Sequence, residues 1–413
     1  MLSRRRLLQT TAASAAVIAL GLGGWVASRF ILHPQRTAVA PGVTDTEVKI
    51  GQTMPYSGPA SAYGSIGKAE LAYFKKVNDE GGVNGRKINL LSLDDGYSPP
   101  KTVEQIRRLV EQEQVAFIFQ SLGTPTNSAI QKYLNDRKVP QLFVATGATT
   151  WGDPQHFPWT MGWQPSYQTE AHIYAKSILA NQPQGKIGVL YQNDDFGKDY
   201  LIGLKDGLGD KAKTMIVKEV SYEVADPTVD SQIVSLQSSG ADVFVNATTP
   251  KFAAQAIRKT FDIGWKPAHY LTNVSISVGS VLQPAGLEKA VGIVTADYRK
   301  DATDPRWKDD AGYREWHTFM DKYMPGADLA DNDFPYGMMA AMTLVQVLKQ
   351  CGGDLSRENV MKQAANLKEL ELPMLLPGIK VNTSPTNFFP IRQMQLQRFD
   401  GKSWQLFGEV LSG

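Results

Sequence analysis

A single cysteine, five scattered histidines and no catalytic signature set the first bounds on this 413-residue chain. Cys351 has no second cysteine to pair with, so an intramolecular disulfide is excluded, and no cysteine lies near the N-terminus to accept a lipid. His33, His156, His172, His269 and His317 stand singly, without the spacing that lets two imidazoles share a metal ion. Gly-x-Ser-x-Gly, the phosphate-binding P-loop and His-Glu-x-x-His are all absent. Ser65-Ile66-Gly67-Lys68 has the Ser-x-x-Lys spacing of certain serine enzymes, yet neither Ser-Asp-Asn nor Lys-Thr-Gly accompanies it, and the spacing recurs at Ser98–Lys101. Asp94 and Asp95 end a strand ahead of a helix, where carboxylates more often accept turn N–H bonds than bind metal. The expectation is a protein that is not an enzyme, with no catalytic residue, no metal and no cofactor.

Clustered charge and long apolar runs are scarce too. The formal net charge is +2, from 43 basic and 41 acidic residues. Five of those arginines lie in residues 1–40, which hold no acid, so the remainder carries 38 basic against 41 acidic residues. That balance offers no basic face to nucleic acid. Beyond residue 40 no run approaches 18 apolar residues, and that part is expected to be soluble. Residues 1–40 read as a leader. Ser3, Arg4 and Arg5, one spacer, then Leu7 and Leu8 resemble a bacterial twin-arginine export signal. An uncharged Ala- and Gly-rich stretch follows to Ser28, and Ala38-Val39-Ala40 offers a small-residue cleavage site. Pro41 directly after it disfavours cleavage, which leaves a retained membrane anchor as the alternative. The expected location is the periplasm.

What the chain does have is rhythm. Its length exceeds what one growing hydrophobic core supports, so two domains are expected. Short β-rich runs at 47–54, 87–94, 115–120 and 139–145, then 186–192, 214–222, 242–248, 268–273 and 290–298, alternate with helix-period segments. Such alternation predicts an α/β fold with parallel sheets. In 102–113, Val103, Ile106, Leu109 and Val110 share one helical face. The stretch 151–167, with three prolines, three tryptophans and two glycines, fits neither a long helix nor a central strand and reads as a crossing between lobes. The rhythm breaks again near 297–309 and at Pro373 and Pro377. Helices are expected at about 309–323 and 333–350, and short strands and turns over 378–413.

Several strand ends combine small residues with hydroxyls. After the first strand come Pro55-Tyr56-Ser57-Gly58-Pro59, then Tyr63 and Gly64. In an α/β sheet, the crevice beyond the carboxyl ends of the strands is where ligands sit. Ser121-Leu122-Gly123-Thr124-Pro125 follows another strand. Thr124 suits the N-cap and Pro125 the first turn of the next helix, whose unpaired N–H groups make a natural carboxylate site. Ala145-Thr146-Gly147-Ala148-Thr149 repeats the pattern. Aromatic residues crowd the crossings, Phe196 and Tyr298 among them, and supply apolar walls.

These pieces resemble the type I periplasmic solute-binding proteins of ABC transporters, in the leucine/isoleucine/valine-binding branch. The residues that carry the resemblance are Pro55–Pro59 with Tyr63-Gly64, Asn78, Gly81–Arg86, Ser121–Pro125, Asn193–Asp199 and Phe334–Gly337, over roughly 46–370. It implies two doubly wound parallel-sheet lobes joined by three hinge crossings, lobe 1 at 46–164 plus 298–375 and lobe 2 at 165–297 plus 376–413, closing on a ligand. It implies Tyr63 over the ligand, Ser121 and Thr124 at a ligand carboxylate, Thr146 and Thr149 as further contacts, and Phe196 as a wall. The family's fourth-loop threonine falls on Ala148. Thr249, Ser275 and Tyr298 complete the expected ligand set. Amino-acid binders of the branch hold the ligand ammonium with an acid from a second-lobe loop. Here the loops Asn246–Pro250 and Thr272–Ser275 contain none, and burying an unpaired ammonium costs several kcal/mol. The expected ligand is a carboxylate-bearing aromatic or branched acid, with a true branched-chain amino acid, or a sensing role beside a membrane receptor, as alternatives. The implied partner is an inner-membrane ABC permease, and the implied state is a monomer.

Overall fold

The computed structural model describes residues 40–412. The leader read in residues 1–40 lies outside them, Ala40 excepted. Two sheets organise the rest. The first holds β1 (Glu47–Met54), β2 (Lys87–Asp94), β3 (Ile118–Phe119), β4 (Gln141–Val144) and β5 (Thr160–Gly162), in the order β2-β1-β3-β4-β5, all parallel. The second holds β6 (Ile187–Gln192), β7 (Ile216–Tyr222), β8 (Val243–Ala247), β9 (Ala268–Leu271), β10 (Val294–Asp297), β11 (Gln393–Phe399) and β12 (Trp404–Ser412), in the order β12-β11-β10-β9-β8-β6-β7. β6 to β10 are parallel, while β11 and β12 form an antiparallel hairpin on the edge beside β10. The fold is the expected α/β type. The central strands are buried along their whole length, as in β8 (Val-Phe-Val-Asn-Ala), because helices cover both faces of a parallel sheet.

Three details depart from the sequence expectation. The strand expected over 115–120 contributes only two residues to the ladder, and Gln120 turns away with φ +50. The segment 151–167 supplies the short edge strand β5, which hydrogen-bonds to β4. The chain's tail makes the long hairpin β11–β12 rather than isolated short strands.

Helix Gly64–Asp79 packs on helix Asp333–Cys351 at backbone distance. A Cβ on Gly337 would lie 2.5 Å from the Ile66 carbonyl oxygen, so glycine is what lets the two helices touch. That contact sets Tyr63, just before the first helix, beside Asp333, the first residue of the second. Cys351 is buried, and burial pushes its thiol up to about 12. Among the described residues, no helix is long and apolar enough to cross a membrane.

Candidate functional site

The turn after β1 is organised by β2. Asp94 accepts bonds from the backbone N–H groups of Tyr56, Ser57 and Gly96, from Ser57 Oγ at 2.7 Å and from Lys101 Nζ at 3.0 Å. Partial burial opposes ionisation, but these donors outweigh it and hold the carboxyl well below the usual range. Asp95 accepts from Tyr97 N and Thr102 Oγ1, which fixes Tyr97. The acidic pair is thus turn scaffolding.

The next loop is built around Gly123. Its φ is +100, and a Cβ there would lie 2.5 Å from the Tyr97 ring, so glycine rather than Thr124 occupies the cap of helix Thr124–Asp136. Thr124 is the first helical residue, and its hydroxyl meets that of Thr146 at 2.5 Å. Thr146 in turn lies 3.3 Å from the Tyr167 hydroxyl.

These loops and others from the second half of the chain line a cavity with about 490 Å³ of empty space, part of it open to solvent. Tyr63, Tyr97, Tyr167, Phe196, Tyr298 and Tyr336 give it six aromatic walls. Phe196 stands edge-on to Tyr167, with ring centres 4.9 Å apart, and Tyr336 stands edge-on to Trp163 at 4.9 Å. Polar lining comes from Thr124, Gln164, Thr249, Asn273, Arg299 and Asp333, and Gly123 completes the helix start in the wall. Pro125 carries no N–H, so Thr124 and Thr126 supply the first-turn N–H groups without a partner within the helix, which leaves a positive pole at the cavity surface.

Of the residues expected at a ligand, Tyr63, Thr124, Phe196, Thr249 and Tyr298 line this cavity. Thr146 stands directly behind Thr124. Ser275 donates to the Thr248 carbonyl at 2.5 Å and approaches the Tyr63 phenol. Thr149 lies elsewhere, its N–H and hydroxyl both donating to Asp199 at 2.6 and 3.0 Å, and it lines a separate groove with Asp153 and Phe389. Ser121 is buried beside β1, where its hydroxyl accepts the Thr53 N–H at 3.0 Å and stands in for a carbonyl of the β1–β3 ladder. Ser121→Ala leaves that buried N–H without an acceptor and is expected to lower the free energy of unfolding by about 1–3 kcal/mol, measured by urea denaturation. An unchanged denaturation midpoint would show that the ladder tolerates the loss.

The wall residues absent from the expected ligand set are chiefly Tyr97, Gln164, Asn273, Arg299, Asp333 and Tyr336. Arg299 follows β10 and is held by three partners. Its Nε donates to Asp297 at 3.0 Å, its Nη2 to the Asn273 carbonyl at 3.0 Å, and its Nη1 to the Asn332 carbonyl at 3.4 Å. Asn273 is held from behind by Glu170, which accepts its N–H at 2.8 Å and its side-chain amide at 2.6 Å. Among the described residues, no three His, Cys, Asp or Glu gather in a way that would hold a metal ion.

A cavity walled by the strand-end loops of two parallel-rich sheets, with a helix start in its lining, is the geometry of a ligand-binding crevice. A family profile described as periplasmic binding protein matches residues 47–403. The chain belongs to this family. The Leu/Ile/Val-binding protein homolog 1 of Brucella abortus (strain 2308) is 26% identical over 375 residues, covering 88% of this chain and 90% of the relative. A branched chain amino acid ABC transporter protein from Thermus thermophilus, solved with bound valine, superposes with a TM-score of 0.79 at 16% identity, over 90% of this chain and 98% of that one. A solute binding protein from R. palustris in complex with 4-hydroxybenzoate gives 0.74 at 17% identity, over 89% and 97%. Within its family the chain is similar to the leucine/isoleucine/valine-binding type, and the periplasmic binding protein fold accounts for both sheets.

Proposed function

We propose that this protein is a periplasmic solute receptor which closes on one small carboxylate-bearing organic solute and delivers it to an inner-membrane ABC permease, without transforming it. In this reading it is exported by a twin-arginine leader and works as a monomer. The observation that carries the proposal is the start of helix Thr124–Asp136 in the wall of a cavity that also presents six aromatic rings. A carboxylate seats on the free N–H groups and Thr124 hydroxyl, while an aromatic or branched body packs against Tyr63, Tyr167 and Phe196. Relatives of this fold take both kinds of solute, as the valine and 4-hydroxybenzoate complexes illustrate.

Closure is proposed to occur between lobe 1 (46–164 plus 298–375) and lobe 2 (165–297 plus 376–413), about crossings near 164, 297 and 375. The composition of the sheets supports this division, since β1–β5 come wholly from the first range and β6–β12 wholly from the second. Thr149 to Asp199 and Arg299 to Asn273 are then contacts between lobes.

The test is titration of the purified chain with benzoate, 4-hydroxybenzoate, phenylacetate, valine and leucine, followed by tryptophan fluorescence. Trp163 touches two rings of the cavity wall and reports on it directly. Micromolar saturation by at least one carboxylate supports the reading; silence from all of them, with no thermal shift, sinks it. Phe196→Ala is expected to weaken whichever solute binds by about tenfold or more, through lost apolar contact. Equal affinity in that variant would remove Phe196 from the ligand's surroundings.

A further inference from the structure

Asp333 is the only acid among the described residues that line the cavity, and the fold leaves its carboxyl without a hydrogen-bond donor. Asp333 is 6% exposed and opens helix Asp333–Cys351. Its backbone N–H donates to Asp331 Oδ1 at 3.2 Å, but its own carboxyl oxygens accept no hydrogen bond from any described residue. The nearest compensating cation is Arg299, whose donors go to Asp297, Asn273 and Asn332, with no ion pair to Asp333. A helix start favours an acid, yet an acid placed there for the helix alone would keep contact with water. Asp333 instead lies at the cavity surface among Tyr63, Tyr298 and Tyr336. Across the same cavity, the Gln164 side-chain nitrogen is also buried without a partner, its oxygen being used by the Tyr336 hydroxyl at 3.0 Å. Burial first, and then Asp331 and Asp297, disfavour the charged form of Asp333, and Arg299 only partly offsets them. A positive group from outside the chain would be stabilised here by the carboxylate and by the faces of the surrounding rings.

We infer that Asp333 is a specificity-determining residue which selects solutes carrying a cationic nitrogen and seats that nitrogen between its carboxylate and the aromatic wall. The inference rests on the proposed role as a solute receptor and sharpens its ligand class. It reverses the expectation of an acid without an amine, which considered only the loops 246–250 and 272–275. The acid sits instead on the helix that begins at residue 333.

Two triads of probes separate the possibilities, each sharing one carbon body: leucine, 4-methylpentanoate and 3-methylbutylamine, and phenylalanine, 3-phenylpropanoate and 2-phenylethylamine. Calorimetry on the wild-type chain is expected to show the amine-bearing members binding about thirtyfold or more tighter than the plain acids. Asp333→Asn is expected to erase that preference, while Asp333→Glu retains part of it. Tight binding of the plain acids, equal to or better than their amino partners, overturns the inference and leaves the carboxylate reading standing. Binding of the amines alone supports Asp333 and overturns the carboxylate reading. No binding by any member counts against both. The wild-type comparison needs no variant, so a folding defect in Asp333→Asn leaves the outcome decided.

Discussion

Gly197→Ala is expected to abolish solute binding and to destabilise the second half of the molecule. Gly197 lies in the first turn of helix Asp195–Leu208, directly after β6. A Cβ at this position would sit 2.1 Å from the Gln192 carbonyl oxygen and 2.8 Å from the Gln192 nitrogen. Both are backbone atoms of a buried strand, so no side chain can move aside to make room. The turn itself is pinned by Asp194, which accepts the N–H groups of Phe196 and Gly197 at 3.0 and 3.3 Å and a bond from the Gln192 side chain at 2.6 Å. A methyl group must therefore push the helix start off the strand, and Phe196 in the cavity wall moves with it. Overpacking of this kind costs about 1–3 kcal/mol where side chains can adapt, and more against fixed backbone. The measurements are solute titration and the thermal midpoint. Wild-type affinity in Gly197→Ala would show that the turn relaxes without disturbing the wall.

Glu170→Ala is expected to cost about 3–5 kcal/mol of stability, because it orphans several buried donors at once. Glu170 is fully buried in helix Tyr167–Asn181. It accepts the hydroxyls of Tyr174 and Tyr200 and both the backbone and side-chain N–H groups of Asn273. Through Asn273 the loss reaches the cavity wall, so affinity should fall along with stability. Burial raises the Glu170 carboxyl from 4.5 to about 8, against the pull of Tyr174, Tyr200 and Asn273. The native state thus holds a proton that the unfolded chain releases. The stabilisation from this linkage is complete below about pH 4.5 and is lost as pH rises towards 8, at about 1.4 kcal/mol per unit within that window. Glu170→Gln cannot titrate, so between pH 5 and pH 8 the wild type should lose more unfolding free energy than this variant. Parallel pH profiles for the two would show that the carboxyl is already ionised at pH 5. His269 works in the opposite sense. Burial lowers its imidazole from 6.5 to about 3, so its contribution is lost as pH falls below the ordinary histidine range.

The sheet strands were legible because each is a short apolar run stopped by a turn residue. Expected 47–54 and 87–94 coincide with β1 and β2, and 186–192 differs from β6 by one residue. Helix Asp333–Cys351 was legible for a similar reason, its apolar length being bounded by Gly352. β5 was obscured by prolines and tryptophans, since an edge strand needs few ladder bonds and tolerates what a central strand does not. The hairpin β11–β12 follows a stretch rich in irregular turns, where local pattern is weak.

The strand-end residues Tyr63 and Thr124 could be named in advance because a parallel sheet brings its carboxyl ends to one side, whereas Phe196 and Thr249 came with the resemblance to the solute-binding proteins. The sequence alone therefore determined the family, the two-sheet architecture and part of the cavity lining. Tertiary structure decided how polar groups are shared out. Ser121 is given to the ladder, Thr149 to Asp199, and Arg299 to Asp297, while Asp333 is left facing the cavity. Partner choice among buried polar groups depends on distances of a few ångströms between segments hundreds of residues apart, which composition and spacing do not encode.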